Sequence, residues 1–219
     1  MSVVTIERKV LEKNDEIAQR NRELFAQHHL FVINVVSSPG SGKTSLLEQT
    51  LKHLNGSLRV GVVEGDVQTD FDAQRVAKFN VPVVQIVTNG GCHLEAKLVN
   101  DALSNFDLQN IDLLIIENVG NLVCPANYDL GETLKVVVVS TTEGDDKPLK
   151  YPGMFHHSSV LIVNKIDLIP YVNSNPKVIR KNALQINPSL KIFETSCTTN
   201  KGIPEWCEWL KSQTVKRAD

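Results

Sequence analysis

Nowhere in its 219 residues does this chain carry an apolar run approaching the roughly 18 residues that a membrane-spanning helix needs. It also lacks a charge excess, since 23 Lys and Arg stand against 25 Asp and Glu for a net charge of −2. That near-balance leaves no basic footprint for nucleic acid. Cysteine is sparse, with four residues at Cys92, Cys124, Cys197 and Cys207. Nothing in Ser2-Val3-Val4-Thr5-Ile6-Glu7-Arg8-Lys9 resembles a secretion signal. The expectation is a soluble cytoplasmic protein with no membrane or nucleic-acid partner. Its cysteines are then ligands or buried thiols rather than disulfides. Internal repeats and low-complexity segments are absent too. The length suits one α/β domain better than two, and 42% hydrophobic residues suffice for a sizeable core.

What is present alternates between two periods. Residues 5–28 place Ile6, Val10, Ile17 and Leu24 at helical intervals among charged residues, which predicts an amphipathic helix. Short β-rich apolar runs follow at Phe31–Val36, Leu58–Val63, Val81–Val87, Ile111–Ile116, Leu134–Val139, Val160–Val163 and Lys191–Phe193. Helical patterns lie between them at Thr44–Leu54, His93–Leu103, Lys177–Ile186 and Pro204–Ser212. Apolar runs without alternation mark strands buried on both faces. Strand alternating with helix predicts an α/β fold, a mostly parallel sheet flanked by helices. Residues 170–176 read as a loop.

Ser37-Ser38-Pro39-Gly40-Ser41-Gly42-Lys43-Thr44 follows the first strand and opens the first helix after it. The pattern is that of a phosphate-binding loop, with Ser37 in place of the first glycine. Gly40, Ser41 and Gly42 bring backbone N–H groups to the phosphates, Lys43 neutralises β and γ oxygens, and Thr44 offers its hydroxyl to Mg²⁺. Ser45 continues the helix N-terminus, whose dipole favours an anion. An ordinary glycine turn is the alternative.

Asn164-Lys165-Ile166-Asp167 ends a later strand. Asp167 can accept from N1–H and the 2-amino group of guanine, and adenine would leave it unpaired. Thr195-Ser196-Cys197 takes the place of a second base-contacting loop, with Ser196 and Cys197 as candidates. Together these predict a P-loop GTPase domain at 31–219 behind an N-terminal helix at 1–30, binding GTP and GDP.

Asp66, Asp72 and Glu117 are carboxylates at or near strand ends and are Mg²⁺ candidates beside Thr44. Lys43, Asp72 and Glu117 are the catalytic candidates. Asp72 sits in a plausible switch loop, Gln68 to Asp72, or else caps a helix at Ala73. Gly120 sits where a γ-phosphate sensor would be. No catalytic glutamine or arginine finger is evident, which suggests slow intrinsic turnover.

Cys92-His93 follows the third strand and Cys124 the fourth. Thiolate plus imidazole suits Ni²⁺ or Zn²⁺, but the spacing matches no zinc finger, and buried structural thiols explain it equally well. His156-His157 reads as solvated surface.

Several ordered segments together resemble the hydrogenase nickel-incorporation GTPases, the HypB family. They are the glycine loop, Gly65-Asp66-Val67, Cys92-His93-Leu94, Glu117 to Pro125, Ser140-Thr141-Thr142-Glu143-Gly144-Asp145-Asp146 and Asn164 to Asp167. The likeness runs over roughly residues 5–213. It implies a fold of the signal-recognition and MinD (SIMIBI) class, GTP hydrolysis, and a homodimer linked to nucleotide or metal. It also implies nickel delivery to [NiFe] hydrogenase together with other maturation proteins and the hydrogenase large subunit. The resemblance assigns Cys92, His93 and Cys124 to a nickel or zinc site. Some relatives carry an N-terminal cysteine motif or a histidine-rich store. Neither occurs in these residues, so the metal is expected from a partner. An accessory GTPase for urease or a cobalamin enzyme is the alternative, although the Cys-Pro-His motif of the urease relatives is absent. A non-hydrolysing metal scaffold is a third reading, opposed by Lys43, Thr44 and Asp167.

Overall fold

The computed structural model describes residues 6–68 and 71–215. Ser2–Thr5, and Thr69 and Asp70 of the expected switch loop, lie outside the described residues. So does the side chain of Ile6.

Seven strands form one sheet, β1 Phe31–Ser37, β2 Val60–Asp66, β3 Val83–Val87, β4 Leu113–Glu117, β5 Leu134–Ser140, β6 Val160–Asn164 and β7 Lys191–Glu194. All pairings are parallel, in the order β3-β2-β4-β1-β5-β6-β7. Every residue of β1 and β4 is buried, as unbroken apolar strands covered on both faces should be. Chain order turns about β1, whose neighbours are β4 and β5. Ligands of open α/β sheets bind beyond strand C-termini at such a point.

Helices α1 Ile6–Gln27, α2 Lys43–Leu54, α3 Phe71–Ala77, α4 Ala96–Leu103, α5 Lys147–Lys150, α6 Pro152–His157, α7 Pro176–Ile186 and α8 Ile203–Val215 cover the sheet. One face packs Ile33, Val35, Val62 and Ile115 against Leu47 and Leu51 of α2 and Trp206 of α8. The other face divides into two clusters. Phe25 of α1 and Val99 of α4 join Val32 and Leu114 in one. Phe155 of α6 and Ile179 of α7 join Val137 and Leu161 in the other.

The expected elements occur, with shifted ends. β2 starts at Val60 and carries Glu64-Gly65-Asp66 within it, and α4 starts at Ala96 rather than His93. The preceding residues cannot be helical because the N–H of Leu94 donates to Asn118 Oδ1 and Glu95 is extended. The loop expected at 170–176 is partly a 3-10 turn, Ile166–Tyr171, and α7 begins at Pro176 behind the cap Asn175. The short helices α3, α5 and α6 are too brief to show a period in the sequence. His156 and His157 at the end of α6 are both exposed.

α1 is helical as expected, but on a different face. Val10 is exposed, and the buried stripe runs through Asn14, Ala18, Asn21 and Phe25. The two asparagines are buried because they satisfy loop backbone. Asn14 accepts from the N–H of Ala96 at 2.9 Å and donates to Asp129 O at 2.8 Å. Asn21 donates to Ala96 O and Leu130 O at 2.9 and 3.0 Å. The helix thus joins the segment after β3 to the segment before β5.

Candidate functional site

The glycine loop is built around two left-handed residues, Gly40 at φ 77 and Gly42 at φ 95. A Cβ on Gly42 would also lie 2.7 Å from Asn164 Nδ2, so both backbone and space require glycine there. Ser37, the departure from the usual pattern, is fully buried and accepts a hydrogen bond from Lys43 Nζ at 3.1 Å. Thr44 Oγ1 donates to Glu117 Oε1 at 2.8 Å.

A cavity of about 530 Å³ opens over this loop. Gly40, Gly42, Lys43, Thr44, Ser45, Asp66, Asp72, Glu117 and Gly120 all line it, so the phosphate and Mg²⁺ candidates come together. Ser41 does not line it, because its hydroxyl turns to Glu143 Oε1 at 2.6 Å. Asp72 is neither in an open loop nor a cap. It lies in the first turn of α3 and binds Arg75 at 3.0 Å. Gly120 abuts the loop directly, for a Cβ there would sit 3.2 Å from Pro39.

Three participants escaped the sequence reading. Arg75 lines the cavity and grips Glu48 through two bonds of 3.0 and 2.8 Å. Its isolated position in the sequence carried no signal. Glu143 accepts from Ser41 Oγ and from the N–H of Ser140, and Lys147 Nζ approaches it at 3.5 Å while donating to Ser38 Oγ. Glu143 stood in a quoted motif without a role. Glu64 is the third. It faces Glu117 across the β2–β4 register and is 2% exposed. Burial, then the charge of Glu117, pushes its carboxyl up to about 10. Burial raises Glu117 to about 7, opposed by Lys43 and the Thr44 hydroxyl. Glu64 Oε1 and Glu117 Oε2 are buried without a hydrogen-bond partner among the described residues. An acceptor-rich pair of this kind beside a threonine hydroxyl and two further carboxylates fits a hard divalent cation.

Asn164 ends β6 and joins three motifs. Its Nδ2 donates to Ser41 O at 3.0 Å, and its Oδ1 accepts from Thr195 Oγ1 at 3.1 Å and Cys197 Sγ at 3.6 Å. Lys165, left-handed at φ 61, donates to Gly40 O at 2.6 Å. Asp167 follows in the 3-10 turn Ile166–Tyr171. Ser196 is buried and accepts from the N–H of Thr199. Of the base-reading candidates Lys165 lines the cavity, and hydrogen bonds tie Asn164, Thr195 and Cys197 together next to the loop.

Cys92, His93 and Cys124 converge, with one donor atom from each lying within 4.8 Å of the others. Cys92 follows the tight turn after β3, and Cys124 opens the 3-10 turn Cys124–Ala126. Hydrogen bonding to Cys92, with burial, raises the Cys124 thiol. Burial lowers His93, which favours the neutral imidazole that metals bind. Its Nε2 is buried without a hydrogen-bond partner among the described residues. Two thiols and an imidazole fit a borderline-soft metal such as Ni²⁺ or Zn²⁺ and leave a four-coordinate ion one ligand short.

Residues 31–194 match the family described as CobW/HypB/UreG, nucleotide-binding domain. The hydrogenase maturation factor HypB of Escherichia coli K12 is 47% identical over 211 residues, covering 96% of this chain and 73% of that protein. The crystal structure of Helicobacter pylori HypB in complex with nickel superposes with a TM-score of 0.89 at 38% identity, covering 93% of this chain and 96% of that one. The signal recognition particle receptor FtsY of Elizabethkingia anophelis, in complex with GDP, shares the fold alone, with a TM-score of 0.52 at 16% identity and coverage of 87% and 70%.

Proposed function

The chain belongs to the CobW/HypB/UreG family, and from that premise we propose that it is a GTP-hydrolysing metallochaperone that assists nickel insertion into a [NiFe] hydrogenase. The observation that carries this is the convergence of Cys92, His93 and Cys124 at the sheet edge that also bears the phosphate loop. In this reading the backbone N–H groups of Gly40 to Thr44 and the Lys43 ammonium hold the β- and γ-phosphates. Asp167 selects guanine, with Asn164, Lys165, Ser196 and Cys197 shaping the base site. Thr44 and Glu117, with Asp66 and Asp72 near, would hold Mg²⁺. That ion would neutralise charge between the β- and γ-phosphates. The oxygen of water forms a bond to the γ-phosphorus as its bond to the GDP oxygen breaks, releasing GDP and phosphate, and Lys43 stabilises the charge on the transferring group. Gly120 registers the γ-phosphate through its contact with Pro39.

Nickel is the cargo, and Zn²⁺ can take the same ligands. Residues 31–219 act as the GTPase domain, with α1 as an arm before it, in the cytoplasm. The partners are a second copy, other maturation proteins and the hydrogenase large subunit. Hydrogenase is the target favoured, because relatives at 47% identity are hydrogenase maturation factors. An accessory role for urease or a cobalamin enzyme is the second reading, since a relative at 41% identity is a hydrogenase/urease maturation factor.

The test is GTP turnover together with nickel transfer to the apo large subunit. Lys43→Ala is expected to abolish turnover at saturating GTP while the protein stays folded. Near-normal hydrolysis by this variant would reject the loop as the active site. Nickel transfer by the wild type that does not require GTP would reject the chaperone role.

A further inference from the structure

Lys135 is the second residue of β5 and only 7% exposed. A lysine so placed must have its charge paired and its donors met. Its Nζ donates to three carbonyls of one short segment, Pro125 O at 3.0 Å, Ala126 O at 3.3 Å and Tyr128 O at 3.2 Å. Glu132 Oε1 lies 3.6 Å away, and both side chains are more than nine-tenths buried.

The segment so fastened is the one that Cys124 opens. At its other end the Tyr128 ring lies 3.8 Å from the His93 ring, centre to centre. One buried ammonium therefore anchors a stretch bearing a thiol at its start and the backing of an imidazole at its end. The polar chain then reaches the remaining loop. Glu132 Oε1 accepts from Asn34 Nδ2, Asn34 Oδ1 accepts from Asn118 Nδ2, and Asn118 Oδ1 accepts from the N–H of Leu94, next to His93. Burying a charge is costly unless pairing and hydrogen bonds offset it. Carbonyls of a turn near the surface could be met by water, yet here a cation draws three of them to one point.

We propose that Lys135 is a positioning residue for the Cys92, His93 and Cys124 metal site, holding the Pro125–Tyr128 segment so that the Cys124 thiol and the His93 ring keep one geometry. The inference rests on the metal-binding reading above. Outer partners that orient ligands of a metal site are typically worth about tenfold to a hundredfold in affinity.

The experiment uses the full chain and Ni²⁺ alone as probe. Affinity is read by chelator competition and geometry by the thiolate-to-nickel charge-transfer absorption. The wild type is expected to show a band that Cys124→Ala removes. Absence of that band in the wild type would overturn the metal reading itself, independently of Lys135. Lys135→Met is expected to lose about tenfold to a hundredfold in Ni²⁺ affinity, with a shifted band and unchanged GDP affinity. Wild-type affinity and band in that variant would overturn the proposal. Glu132→Gln keeps the three carbonyl bonds but removes the counter-charge, and is expected to weaken Ni²⁺ binding less than Lys135→Met does. Equal losses in both variants would assign the effect to the buried pair as a whole and overturn the positioning role. Should Lys135→Met not fold, Lys135→Arg retains the charge but spreads its donors over a plane. It is then expected to bind GDP normally and Ni²⁺ several-fold more weakly, and unchanged Ni²⁺ affinity would be the overturning result.

Discussion

At the scale of single residues, charge and burial decide what each group can do. In the proposed function Asp167 would present an acceptor where guanine presents donors. Asp167→Asn would turn a donor toward donors and lose a charge-assisted pair, at a cost of about 2–3 kcal/mol in GTP affinity. A calorimetric titration measures this, and unchanged affinity would sink the assignment. Glu64 makes a different prediction. Its carboxyl moves from 4.5 to about 10 on folding, so between those values the folded chain holds a proton that the unfolded chain has released. The contribution is fully present below pH 4.5 and is lost as pH rises through the folded value. Where the native state binds more protons, stability falls with pH, by about 1.4 kcal/mol per unit for one such group. Urea unfolding of the nucleotide- and metal-free protein should therefore show decreasing stability from about pH 6 to about pH 9. Glu117, raised to about 7, takes up a proton in the lower part of this range, so Glu64→Gln should flatten the slope above about pH 7, and an equal slope there in both proteins would place the proton elsewhere.

At the scale of elements, α1 acts as a splint. Its apolar residues only partly explain its seat, because two of its four innermost positions are asparagines serving the backbone of distant loops. Asn21→Ala would leave Ala96 O and Leu130 O without this donor and the Asn100 amide without its acceptor at Asn21. Leaving such buried groups unmet costs about 1–3 kcal/mol. The urea midpoint should drop accordingly while the GDP affinity of the folded protein holds. No change in the midpoint would show that water replaces the amide freely. The helical period of α1 was legible, but its buried face was not. A reading by hydrophobicity chose Val10 and Ile17, whereas the loops it supports chose Asn14 and Asn21.

At the scale of the whole molecule, the nucleotide cavity and the Cys/His cluster share their supports. Gly120 touches Pro39 of the phosphate loop, four residues before Cys124. Leu94, next to His93, packs so closely on Gly65 that a Cβ there would lie 2.8 Å from it, and Leu94 also bonds to Asn118. A shift of either strand end on changing nucleotide would thus move ligands on two loops. Nickel affinity is expected to differ between the GDP form and the form with a non-hydrolysable GTP analogue, and linkage requires nickel to alter nucleotide affinity by the same factor. Chelator competition in both states checks this. Equal affinities would separate the two sites, even if each is real. The same samples in sedimentation should show the dimer population changing with nucleotide.

The sequence by itself determined the alternation of strand and helix and the parallel sheet, since unbroken apolar runs such as Phe31–Val36 and Ile111–Ile116 can be buried only between two layers. It also marked the glycine loop and the Asn164–Asp167 segment, because their chemistry lies in residue type and short spacing, whereas Cys92, His93 and Cys124 were singled out as a metal site only by family resemblance. Contacts between segments far apart in the chain were decided only by the tertiary structure. Glu64 beside Glu117, Glu143 against Ser41, and Lys135 beneath the Cys124 turn each join separate strands or loops. In each pair one partner (Glu64, Glu143 or Lys135) had no role assigned to it from the sequence. A carboxylate or lysine in a strand reads as a surface residue until the fold encloses it. Its burial, its shifted proton and its role then follow from which strand lies alongside.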